Sequence, residues 1–146
     1  VYMDSAGAIT TQTEEFGSAG GSGEVDEIIA AYDDAAGVTA AFNRNALVVM
    51  NRELGADFDP DAYSHRSHWD PVERRIEMHL VSRCQQTVEL QQQRYHFEQG
   101  QTLHTENSYK FTIDGLRHLA AQAGWRPGTV WTDPEQLFSL HWLTAP

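Results

Sequence analysis

The sequence predicts an α+β fold: a mainly antiparallel sheet of about five to seven strands with two N-terminal helices and one later helix packed on it. Apolar residues recur at helical spacing between residues 24 and 54, and the period drops towards two from residue 63 onward. The strand-like runs are parted by short turn pairs, Asp70-Pro71 and Gln99-Gly100, which makes an antiparallel meander the simplest arrangement. A chain of 146 residues is long enough to bury a core of its own without a metal or disulfide staple.

Residues 1–23 read as a flexible, linker-like segment preceding an α/β domain over 24–146. Thr10 to Thr13 is polar and β-prone, and Gly17-Ser18-Ala19-Gly20-Gly21-Ser22-Gly23 has linker composition. A phosphate-binding glycine loop would need a buried strand leading into it, and Thr13-Glu14-Glu15-Phe16 is not one. From Glu24 the positions Val25, Ile28, Ile29 and Tyr32 follow i, i+3, i+4, i+7, with acids in the first turn to suit the helix dipole. Asp33 to Gly37 breaks that helix. A second carries Val38, Ala41, Phe42, Leu47, Val48, Met50 and Leu54 as a broad apolar face and stops at Gly55. Strands are expected over Tyr63 to Trp69, Arg75 to Arg83, Gln86 to Leu90 and Arg94 to Phe97, with Thr102 to Phe111 extended. A helix from Ile113 stops at Gly124, and Val130 to Thr132 and Leu137 to Leu143 close the chain as strands.

The net charge of −11 is unevenly placed: residues 1–34 hold eight acids and no Lys or Arg, while the rest carries 13 acids against 10 bases. Neither part offers the clustered basic field that nucleic acid or an anionic membrane surface requires. No apolar run approaches the ~18 residues of a membrane span. One cysteine, Cys84, forbids an internal disulfide, and the N-terminus has no signal-peptide order, so a cytoplasmic location is expected.

Seven histidines raise the question of a metal. His65 and His68 are three apart, which on a strand sends them to opposite faces, whereas His104 and Glu106 share one. No Cys-x-x-Cys or His-Glu-x-x-His supplies further ligands, so no metal is assigned; a small metal-dependent enzyme using His104 and Glu106 stays as a third reading. Ser108 lacks a nucleophile elbow and Cys84 has no histidine near it in sequence, so no catalytic nucleophile is assigned either. Glu106 and Ser108 share a face if their segment is extended. A carboxylate beside a hydroxyl can grip a flat polar heterocycle, although a solvent-facing Glu and Ser on an ordinary strand would look the same.

Several longer stretches carry a resemblance: Ala31 to Asn43 (AYDDAAGVTAAFN), Asn51 to Asp59 (NRELGADFD), Arg75 to Leu80 (RIEMHL), His104 to Phe111 (HTENSYKF) and Val130 to Pro134 running on to Phe138-Ser139. Their order and spacing over about residues 25–143 resemble the second half of the histidine-specific, SAM-dependent Nα-methyltransferases of ergothioneine biosynthesis. In that family a Rossmann-like core binds SAM and an α/β domain closes over it to bind histidine. The resemblance implies that Glu106 and Ser108 hold the imidazole, that Met78 packs in the substrate pocket, and that Tyr32 places its hydroxyl near the amino-acid end.

The family's glycine loop should precede residue 25 and has no counterpart here. S-adenosyl-L-methionine is thus the cofactor of the parent family, and none is expected on this chain alone. A truncated histidine-binding domain, weakly active or inactive by itself, is the function this implies. Its small-molecule partner is L-histidine or another aromatic amino acid, since related methyltransferases of this fold accept indoles. A non-catalytic small-molecule-binding or interaction domain is the alternative. The family's last strands pair with the SAM core's sheet, so an exposed sheet edge and an apolar patch are expected to drive self-association.

Overall fold

A computed structural model describes residues 2–3, 8–11, 22–134 and 138–145, with side chains from Asp26 onward apart from Glu27. In chain order its elements are β1 (Tyr2–Met3), β2 (Ala8–Thr11), α1 (Ser22–Tyr32), α2 (Val38–Leu54), a 3₁₀ turn at Pro60–Ala62, β3 (Tyr63–Asp70), β4 (Arg75–Ser82), β5 (Gln86–Leu90), β6 (Gln93–Phe97), β7 (Thr102–Tyr109), α3 (Ile113–Gln122), β8 (Arg126–Thr132) and β9 (Ser139–Thr144). This is the α+β class, three helices with antiparallel sheets. Contacts gather the residues into two units, one of Ser22–Ser108 and one of Tyr109–Pro146 with β1 and β2.

In the first unit, α1 begins two residues before the expected Glu24, because the first turn's amides need no partner inside the helix and small residues sit there without loss. Of the expected glycine-rich linker only Ser22 and Gly23 are described, and they open this helix; residues 12–21 lie outside the described residues. Between α1 and α2, Gly37 takes a left-handed φ of 73° and has no side chain with which to cap α2. Asp34 does so instead, accepting from the amides of Val38 (3.0 Å) and Thr39 (2.7 Å). Those bonds, Thr39's first, pull its carboxyl down to about 2. The broad apolar face expected on α2 is not buried as one surface. Leu47 is sealed and Met50 packs against the core, but Val38, Phe42, Val48 and Leu54 are exposed. At 3.6 residues per turn those positions spread around most of the helix, so one layer cannot cover them all.

The strands from residue 63 to 109 form two sheets, not one meander: β3-β4-β7 and the β5-β6 pair. β3 and β4 make a hairpin in register from Tyr63 opposite Ser82 to Asp70 opposite Arg75. β5 and β6 close on each other through Gln91-Gln92, and Gly100, at φ 84°, turns the chain back so that β7 joins β4. The core gathers Leu47 from α2, Phe58, Tyr63, Leu80, Val88 and Phe97. Phe58, Tyr63 and Phe97 form a triangle with ring centroids 6.0–6.1 Å apart. Burial pushes the Tyr63 phenol up to about 12.

In the second unit the sheet order is β1-β2-β9-β8. β2, inside the stretch read as linker, pairs antiparallel with β9 from Ala8 opposite Trp142 to Thr11 opposite Ser139. β8 starts four residues before the expected Val130, across Pro127 and a register shift between Pro127 and Val130. It is an edge strand, where a proline's missing N–H costs no ladder bond. Along β9, Ser139, His141 and Leu143 are buried while Leu140 and Trp142 are exposed. Burial, and then the Arg117 charge, lower the His141 pKa; its Nε2 pairs with Ser139 Oγ at 2.8 Å.

Candidate substrate-binding site

The four residues singled out from the sequence all fall in the Ser22–Ser108 unit. Tyr32 is the last residue of α1, Met78 lies in the middle of β4, and Glu106 and Ser108 lie near the end of β7. Long-range packing joins two of them directly: Tyr32 Oη and Ser108 Oγ are 2.7 Å apart across 76 residues of chain. Glu106 is two residues before Ser108 on β7. Glu106 is exposed, and no hydrogen bond from a described residue reaches its carboxylate. Met78 is 3% exposed, and its carbonyl accepts from Thr105 Oγ1 at 2.8 Å, tying the middle of β4 to β7 just beside Glu106.

Tyr32 is also fixed at its backbone. Its carbonyl receives His65 Nε2 at 2.8 Å, and His65 Nδ1 faces the amide nitrogen of Asn43 at 3.0 Å. An amide nitrogen only donates, so Nδ1 is the acceptor and the proton sits on Nε2, pointed at the Tyr32 carbonyl. Asn43, 3% exposed, also donates to the His79 carbonyl at 3.2 Å. A chain of bonds therefore runs from α2 through β3 to the end of α1 and on to β7. Sequence reading did not find Asn43 or His65 as positioning residues. It did separate His65 from His68, and the structure agrees: His65 is drawn into this network and His68 is exposed.

A second cluster lies on the same two strands. Arg75 Nη2 and Nε approach Glu77 Oε1 at 2.6 and 3.0 Å, and His79 Nε2 meets Glu77 Oε2 at 2.9 Å. Arg75 first, and His79 after it, draw the Glu77 carboxyl down to about 2. The His79 and His104 rings stack with centroids 4.5 Å apart. His104 thus groups with Glu77 and His79, not with Glu106 as the third reading had it. The spacing Glu77, His79 carries the same i, i+2 signal as His104, Glu106, but that β4 lies beside β7 is not written in either segment. Cys84 is exposed and unpaired, and no histidine or carboxylate partner that would activate it is found among the described residues.

Neither of the helices with described caps opens its N-terminus to an anion. Asp34 closes α2, and Thr112 Oγ1 closes α3 by accepting from the Gly115 amide at 3.0 Å. No glycine-rich loop joins a strand to a helix among the described residues. No described helix is long and apolar enough to cross a membrane.

The chain is 46% identical over 119 residues to a histidine N-alpha-methyltransferase of Mycolicibacterium smegmatis, covering 80% of this chain and 37% of that protein. It is 43% identical over 115 residues to the histidine N-alpha-methyltransferase of Mycobacterium tuberculosis, covering 77% and 36%. An N-methyltransferase of Aspergillus flavus, imqF, is 27% identical over 116 residues, 79% of this chain and 31% of that one. The chain thus spans about a third of the length of these relatives. Residues 21–145 match the family described as histidine-specific methyltransferase, SAM-dependent, and the chain belongs to that family.

Proposed function

We propose that residues 24–146 are the histidine-binding part of a SAM-dependent L-histidine Nα-methyltransferase. Glu106 and Ser108 take the imidazole, Met78 lines the pocket, and Tyr32 lies towards the amino-acid end. The observation that supports this best is the joining of Tyr32 to Ser108 at 2.7 Å, with Glu106, two residues earlier on β7, making no side-chain hydrogen bond to a described residue. In the free chain the two hydroxyls bond to each other. A histidine lying between them replaces that one bond with two to itself. Glu106 then accepts an imidazole N–H in a charge-assisted bond, stronger than a neutral one.

Methyl transfer to an amine asks the protein for no covalent nucleophile, only for a deprotonated amine held in line with the methyl donor. The Asn43–His65–Tyr32 chain of bonds serves that demand by fixing one side of the site from the buried side of the sheet. The resemblance puts SAM binding in the family's Rossmann-like core, so this chain alone is expected to turn over slowly or not at all. Its place in metabolism, as the resemblance implies, is the methylation of histidine on the way to ergothioneine, in the cytoplasm. Equilibrium dialysis with labelled L-histidine tests the binding reading. Saturable binding displaced by unlabelled histidine and not by tryptophan is the expected result. Equal displacement by tryptophan would move the assignment to aromatic amino acids in general, and no saturable binding would overturn it.

A further inference from the structure

We propose that Glu77, His79 and His104 form a binding site for a divalent transition-metal ion of the zinc type, an inference that does not rest on the histidine-binding reading. One ligand atom from each residue lies within 4.8 Å of the other two. Two imidazoles and a carboxylate suit zinc and its neighbours, whereas magnesium and calcium favour oxygen donors throughout.

The local geometry needs little change to receive an ion. His79 Nε2 and Glu77 Oε2 are 2.9 Å apart. Two ligands of a four-coordinate zinc with bonds of about 2.0–2.1 Å sit about 3.3 Å apart, so this pair opens by a few tenths of an ångström. Arg75 occupies the other carboxylate oxygen, Oε1, and leaves Oε2 for the ion. The ion replaces the hydrogen bond now joining His79 to Glu77, and the ring proton passes to Nδ1, which is buried and has no hydrogen-bond partner among the described residues. The His104 ring is tilted 26° to that of His79 in the stack, so the ion cannot lie in both ring planes until His104 turns. That side chain is exposed, and its one hydrogen bond among the described residues, Nε2 to Asn107 Oδ1 at 2.7 Å, is exposed too. The turn therefore costs that solvated bond and the stack on His79, and leaves the core untouched. The remaining coordination positions face solvent on the His104 side, and the bound ion clasps β4 to β7.

Titration calorimetry of the chelator-stripped 146-residue chain with zinc chloride provides the test, together with the visible spectrum of the same protein loaded with cobalt(II). The proposal predicts one equivalent of zinc, cobalt ligand-field bands of four- or five-coordinate intensity, and no heat with magnesium. His104→Ala should weaken zinc at least about tenfold and remove the cobalt bands, and the exposed His68→Ala should change neither. Because His104 is exposed, its variant keeps the fold, which a melting curve verifies. Zinc affinity unchanged in His104→Ala, or no zinc binding by the parent chain, would overturn the proposal.

Discussion

Asp34 lies four residues before the first residue of α2 and supplies the cap that Gly37, with its positive φ and no side chain, cannot. Its carboxyl is held near 2 against an ordinary 3.8 by the Thr39 and Val38 amides. A depressed pKa means that the ionised form is favoured in the folded state. The resulting stability is fully present above pH 4 and fades as the pH falls towards 2. Asp34→Asn should therefore lower the melting temperature at neutral pH, and the gap between the two proteins should narrow through pH 4 to 2. A gap independent of pH would show that the charge of Asp34 is not what holds the end of α2. The same stretch shows what sequence can carry at this scale. Its acids were legible as a helix break, and Tyr32, Glu106 and Ser108 could be singled out because they sit in distinctive segments, though not the bond that joins Tyr32 to Ser108. Asn43 and His65 were not, since their role exists only once α1, α2 and β3 are packed together.

Among the elements, every strand and helix from residue 63 to 122 was readable from period and turn residues, to within two residues at most ends. The sheet partition was not, and the β5–β6 hairpin shows why. Its two-residue loop, Gln91-Gln92, takes φ of 50° and 66°, the geometry of a type I′ turn that Asn-Gly adopts without strain. Glutamines there send no turn signal, so the break between β5 and β6 was visible only as a gap between two β-prone runs. Replacing the pair by Asn-Gly relieves left-handed strain at two residues and should stabilise the protein by about 1 kcal/mol, raising the melting temperature by roughly 2–4 °C. A lower melting temperature would mean that the glutamine side chains contribute packing that outweighs the strain. β8 differs again: its strand runs back across Pro127, which the edge position in the sheet makes acceptable.

For the whole molecule, the expected open sheet edge takes a different form, because β2 pairs with β9 and leaves β1 and β8 outermost. The register shift and Pro127 blunt the β8 edge. The apolar surface lies on a sheet face, where Trp131, opposite Leu140, and Trp142 are 50%, 37% and 40% exposed. Self-association is accordingly expected through that face. Light scattering should show the mean mass rising with concentration, and Trp142→Lys should bring it back to a monomer; a monomer at all concentrations would contradict the role given to this face. The proposed grip of Glu106 on an imidazole is tested by titration calorimetry with L-histidine on the parent chain and on Glu106→Ala, alongside melting curves without ligand. Loss of the charge-assisted bond should cost about 1.5–3 kcal/mol, a roughly ten- to hundredfold weaker Kd, with the melting temperature of the free protein unchanged. Equal histidine affinity in the two proteins would contradict the account.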